Sequence, residues 1–227
     1  MKLLVSAIAA AALASMITAC GGGGGDEASA DPQGFWTVDE TGMLVTSSGE
    51  AWLISLTSPT YTLAKGQINT SGSTVSGNFV RYTSPTISFS ASGIVRPKTS
   101  MTLTATGVDQ STASGTLLYS GLYDATPSVA GLAGSYAISS GGVVTIDAAG
   151  NVTASDTGTQ CALAGQITAD ASGKNFYRLQ VTTSGANCAT DGMTASGVLA
   201  RSTNTILLGG VISGSVGDAF VLTKMPD

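Results

Sequence analysis

The chain has 227 residues, a formal charge of −5 and only 10% charged side chains, well below the roughly 25% of ordinary soluble domains. Nothing in it implies a basic surface for nucleic acid. Histidine is absent, which excludes His-based triads, His metal ligands and imidazole pH switching.

Lys2 precedes residues 3–19, LLVSAIAAAALASMITA, an uncharged run of about 17 residues. One base followed by an apolar stretch ending in small residues predicts a secretory signal over 1–19. The run is at the bottom edge of what spans a bilayer as a helix. Ile17-Thr18-Ala19-Cys20 resembles the lipobox of bacterial lipoproteins. The resemblance implies a diacylglyceryl group on the Cys20 thiol, palmitate-type acyl chains, and cleavage that makes Cys20 the first residue. The membrane would then be the first partner, held through Cys20 and not crossed. The alternative is an ordinary signal cut near Ala19, which places the large Ile17 where a small residue is expected.

Residues 20–33, the lipidated cysteine and a tether, open with Gly21 to Gly25. Glycine-rich chain is a flexible coil, and Asp26, Glu27 and Asp31 would be repelled by anionic headgroups. The glycine run resembles the anchors of surface lipoproteins of the transferrin-binding protein B and factor H binding protein type. Glycine after Cys20, where inner-membrane lipoproteins of enteric bacteria carry aspartate, implies outer-membrane sorting. Whether the body faces the periplasm or the cell surface stays open.

From Gly34 onward, short alternating runs are broken by Gly, Asn, Asp and Ser, with no amphipathic helix pattern. Ile87-Ser-Phe-Ser-Ala-Ser-Gly-Ile-Val95 reads as a half-buried strand. Asp124-Ala-Thr-Pro-Ser-Val-Ala-Gly131 reads as a connector, Pro127 being unable to donate to a central ladder. Two lobes result, 34–126 and 127–227. In the second, strands are predicted near 135–139, 143–147, 151–156, 161–169, 175–183, 193–201, 205–212 and 218–225. Cys161, Leu163, Gly165 and Ile167 share one face of the strand ahead of the hairpin loop Ala171-Ser-Gly-Lys-Asn175. Cys188 follows the next strand, and in an export compartment the two remaining cysteines, Cys161 and Cys188, are expected to pair across the open end of that hairpin. Closing a loop of about 28 residues is worth roughly 3.5 kcal/mol in the chain-entropy treatment.

The lobes echo each other. Gly34-Phe-Trp36 recurs as Gly134-Ser-Tyr136, Leu63-Ala-Lys-Gly-Gln-Ile68 as Leu163-Ala-Gly-Gln-Ile167, and Ser90-Ala-Ser-Gly-Ile-Val95 as Thr194-Ala-Ser-Gly-Val-Leu199. Offsets near 100 residues predict an internal duplication. Sequential hairpins are best closed into two tandem up-and-down β-barrels, because closure removes exposed edges; an open β-sandwich is the competitor. The initial Gly-x-aromatic, the even hairpins and the last strand resemble a small calycin-type barrel. Two β-lobes behind a tethered lipid resemble the architecture of the surface lipoproteins named above.

No catalytic constellation emerges, and the chain is read as a non-enzyme without cofactor or metal. Asp39, Glu40, Asp147 and Asp170 sit in turn contexts. Calcium sites from Asp147 and Asn151, or Asp170, Ser172 and Asn175, lack carboxylate density. There is no Ser-x-x-Lys and no Gly-x-Ser-x-Gly. Nine aromatics fall in the first lobe against four in the second. Aromatics and arginine are favoured at interface hot spots, so Phe79, Arg81 and Tyr82, with Arg96 and Lys98, are candidates for a partner-facing patch. The plainer reading has Trp36, Trp52 and Phe89 filling the first barrel's core. The leading expectation is a lipid-anchored outer-membrane protein that binds or scaffolds a macromolecule at the cell envelope. The alternative is a carrier or sensor of a small apolar ligand, since eight-stranded barrels can be filled or hollow.

Overall fold

A computed structural model describes residues 30–39, 41–55, 61–138, 142–156, 161–186 and 188–226. The expected signal segment, Cys20 and the glycine run lie outside them, as does Glu40.

Sixteen strands form two closed antiparallel barrels of eight. The first comprises β1 (Gly34–Val38), β2 (Thr41–Val45), β3 (Glu50–Ser55), β4 (Thr62–Ser71), β5 (Thr74–Arg81), β6 (Ile87–Arg96), β7 (Ser100–Gly107) and β8 (Thr112–Tyr119). The second comprises β9 (Gly134–Ile138), β10 (Val143–Ile146), β11 (Asn151–Asp156), β12 (Cys161–Ala169), β13 (Phe176–Ser184), β14 (Thr194–Arg201), β15 (Ile206–Ser213) and β16 (Val216–Lys224). Each strand pairs with the next. β1 returns to β8 through Trp36 opposite Tyr119, and β9 to β16 through Tyr136 opposite Lys224. These short pairings close each sheet on itself, which decides for barrels over a sandwich. Between them runs the connector 120–133, with 3₁₀ turns at Gly121–Asp124 and Ala130–Leu132.

The alternation of each strand sets its inner face. Along β5, Val75, Gly77 and Phe79 are buried and their neighbours exposed, the period-2 pattern of a strand walled on one side. Trp36, Met43, Val45, Ile68, Val75, Val95 and Met101 pack inside the first barrel. Leu132, Tyr136, Ile146, Ile167, Tyr177, Leu199, Phe220 and Leu222 fill the second.

The matched segments occupy equivalent places. Trp36 Nε1 donates to the Pro32 carbonyl at 2.9 Å and Tyr136 OH to the Leu132 carbonyl at 2.7 Å, so each Gly-x-aromatic buries a ring tied to the backbone four residues earlier. Gly49 (φ 79°) and Gly150 (φ 86°) close the β2–β3 and β10–β11 turns, in a left-handed conformation that favours glycine. Their carbonyls accept from Ile68 and Ile167, each at 2.8 Å. Gln67 and Gln166 donate to the turn carbonyls of Ser48 and Ala149. One offset differs: Lys65 has no counterpart in Leu163-Ala-Gly165, and the one-residue change reverses the face. Leu63 therefore points out of its barrel and Leu163 into its own.

The outer wall of β1 to β4 packs against that of β13 to β16. Phe35, Leu44, Trp52, Ile54 and Leu63 meet Phe176, Val198, Ala200, Leu208 and Ala219, with Tyr123 of the connector among them. This seam explains why β1 to β3 bury consecutive residues and not alternate ones: one face lines a barrel, the other a barrel–barrel contact. Tyr123 stacks on Phe176 with centroids 6.0 Å apart. Trp52 is thus a seam residue and not the barrel-core filler of the plainer reading, while Trp36 is in the core.

Polar groups border the seam. Arg178 Nη1 donates to Glu50 Oε2 at 2.7 Å and its Nε to Asp170 Oδ2 at 2.7 Å, while Lys65 lies 2.8 Å from Glu50 Oε1. Asp124 holds Lys98 at 2.9 Å and Lys174 at 2.7 Å. Cys161 and Cys188 are disulfide-bonded, Cα atoms 4.9 Å apart, across the open end of the β12–β13 hairpin.

Candidate functional site: the mouth of the first barrel

The five residues considered for a partner-facing patch do not share a surface. Phe79 points into the first barrel, 3% exposed, and stacks on Phe89 with centroids 5.2 Å apart. Arg81 ends β5 at one mouth of the barrel. Tyr82 packs where a Cβ on Gly217 of the second barrel would collide with its ring. Arg96 and Lys98 belong to the β6–β7 turn at the other end, with Lys98 tied to Asp124. Arg81 pairs with Ile87, so β6 separates it from Arg96 by roughly 30 Å of strand.

The fold assembles a cavity instead. Its upper part, about 480 Å³, opens at the Arg81 end and is lined by Leu53, Ala64, Ile87, Phe89, Ala105 and Ala113, under a polar rim that includes Thr62, Asp109 and Ser111. A deeper part of about 320 Å³ shares Leu53, Phe89, Ala105 and Ala113 and reaches Met43, Leu103 and Gly115. Both volumes lie within or near the 300–1,000 Å³ of small-molecule sites.

The hollow arises from small inward residues. The ladder sets Ala91 opposite Ala105, Ala105 opposite Ala113 and Leu103 opposite Gly115. A Cβ on Gly115 would meet nothing within 4 Å. At the far end the same barrel is packed shut by Trp36, Val45, Ile68, Val75, Val95 and Met101. The chain enters at this shut end, where Ala30 N–H donates to the Gly72 carbonyl of the β4–β5 turn at 2.7 Å.

Among the described residues, two charged side chains line the mouth, Arg81 and Asp109. Arg81 makes no ion pair or side-chain hydrogen bond among the described residues. Asp109, in the β7–β8 turn, accepts from Ser111 N–H at 3.1 Å and Ser111 Oγ at 2.6 Å. Those bonds hold its carboxyl below the ordinary range. Val108 beside it is 75% exposed.

Asp147 and Asp170, weighed above for calcium, are engaged in their own turns. Asp147 accepts from the N–H groups of Ala149 and Asn151, and Asp170 from Ser172 and Arg178. Among the described residues no group of three or more His, Cys, Asp or Glu side chains could hold a metal ion. Burial raises the Glu50 carboxyl, but hydrogen bonds from Lys65 and Arg178 outweigh it and leave it below its ordinary value. Hydrogen bonds from Lys174 and Lys98 hold Asp124 far below its own. Burial pushes the Tyr123 hydroxyl up to about 12.

The chain matches no known family, no curated protein and no solved structure.

Proposed function

We propose that this is a lipid-anchored envelope protein, held through Cys20, that binds a small apolar ligand inside its first barrel and performs no chemistry on it. The observation that carries the reading is the apolar cavity open at one end of a barrel otherwise packed. Apolar hollows of this size favour apolar guests over water. The second barrel and the seam support the wall opposite β5 to β8 and hold the site on a fixed scaffold.

The test is binding of an environment-sensitive apolar fluorophore to the intact chain, together with native mass spectrometry of protein purified from its own envelope. Saturable binding that is lost in Gly115→Leu, with unchanged fold by circular dichroism, supports the reading. Binding that persists unchanged in Gly115→Leu, or none by wild type, overturns it. A macromolecular partner is the second reading, favoured by the exposed Val80 and Val108 beside the same mouth; loss of partner capture in Val108→Asp is its test.

A further inference from the structure

We infer that the ligand of the first barrel is an amphiphile with an anionic head, and that Arg81 receives that head at the mouth while the tail lies between Phe89, Leu53 and Ala113. This rests on the cavity reading above and adds the class of ligand.

Among the described residues, Arg81 is the one cation that lines the mouth. Arg81 closes β5 on the inward-facing row that runs through Val75, Gly77 and Phe79, so its side chain lines the opening and not the outer wall. Lys65 and Arg178 pair with Glu50, and Lys98 and Lys174 with Asp124, whereas Arg96, Arg201 and Lys224 have no ion pair among the described residues but do not line the cavity. Arg81 has none among the described residues. A guanidinium carries five donors in a planar fork suited to two oxygens. Set above an apolar hollow, it selects a guest with acceptors at one end and hydrocarbon below. Asp109 lines the same opening. One of its oxygens is engaged by Ser111, so it stays turned to its own turn and contributes a modest opposing field. A cationic head would find Arg81 repulsive and only the one Asp109 oxygen that Ser111 leaves free.

Decanoate and decanol, matched in chain length, separate head from tail. Each is titrated against wild type, Arg81→Gln, Arg81→Lys and Asp109→Asn by displacement of the fluorophore at neutral pH. The expected result is decanoate tighter than decanol on wild type and about tenfold weaker on Arg81→Gln. Arg81→Lys should recover part of the loss, Asp109→Asn should tighten decanoate, and decanol should be indifferent to all three changes. Equal affinities of the two probes on wild type, with Arg81→Gln changing neither, overturn the head-group assignment and leave the cavity reading standing. Binding of neither probe by wild type overturns both.

Discussion

Arg178 of the second barrel donates to Glu50 of the first at 2.7 Å, across a seam that also stacks Tyr123 on Phe176. The two barrels therefore share one hydrophobic contact bordered by ions, and should unfold together. A single calorimetric transition is expected, with van't Hoff and calorimetric enthalpies equal. Arg178→Met keeps the stem but leaves Glu50 to Lys65 alone and removes the cation from Asp170. Because both lost pairs are partly exposed, the cost is about 1–2 kcal/mol, or roughly 2–8 °C in Tm for a protein of this size.

The same ions set an acid limit. Glu50, Asp124 and Asp170 all titrate below their ordinary values when folded. A depressed carboxyl stabilises fully above its unfolded value, about 4, and that contribution disappears as pH falls through the folded value. Tm should hold steady from pH 7 to about 5 and fall steadily below 4. Asp124→Asn should lower Tm at pH 7 and flatten the acid decline, read by thermal scans across pH.

Two glycines of the first barrel should answer oppositely to a side chain. Gly115 faces the hollow with nothing near its missing Cβ, whereas a Cβ on Gly93 would run into the Thr102 carbonyl. Gly115→Ala should leave Tm unchanged or raise it through the reduced freedom of the unfolded chain. Gly93→Ala should cost more than about 2 kcal/mol. Urea unfolding of both variants settles this.

Reduction of Cys161–Cys188 frees a 27-residue separation and should lower stability by about 3.5 kcal/mol. Because the bridge lies at the end of β12 and β13, the loss should appear as earlier hydrogen exchange in that hairpin, with the first barrel's shut end unaffected.

Cys20→Ser should leave an unprocessed, unlipidated chain of altered mass. The uncut chain keeps its apolar residues 3–19 and should stay with the membrane fraction, whereas a version with an ordinary cleavable signal in place of residues 1–20 should move from the envelope pellet to the soluble fraction. A variant that still pellets with unchanged mass and processing removes the anchor from the account.

Much of the fold was legible in local pattern. The second-lobe strands lie within two residues of their expected places, because each is an alternating run stopped by a turn such as Asp147-Ala-Ala-Gly150. The disulfide followed from two cysteines bracketing one hairpin. The seam was not legible: Phe35 and Trp52 are apolar whether they face a barrel interior or a second barrel, and composition cannot separate those faces. The cavity was hidden for a related reason. Ala91, Ala105, Ala113 and Gly115 reveal a hollow only once the register sets them side by side. Grouping Arg81 with Arg96 failed on strand length, since neighbours in a hairpin's sequence can be a whole barrel apart.

Ala30, bonded to Gly72, fixes where the leader-side chain leaves the body. The Arg81 opening lies at the opposite end of the barrel, roughly 20 Å away given strands tilted about 40°. Were Cys20 acylated as proposed, the attachment would leave that opening clear of the tether, and cargo would reach it through water.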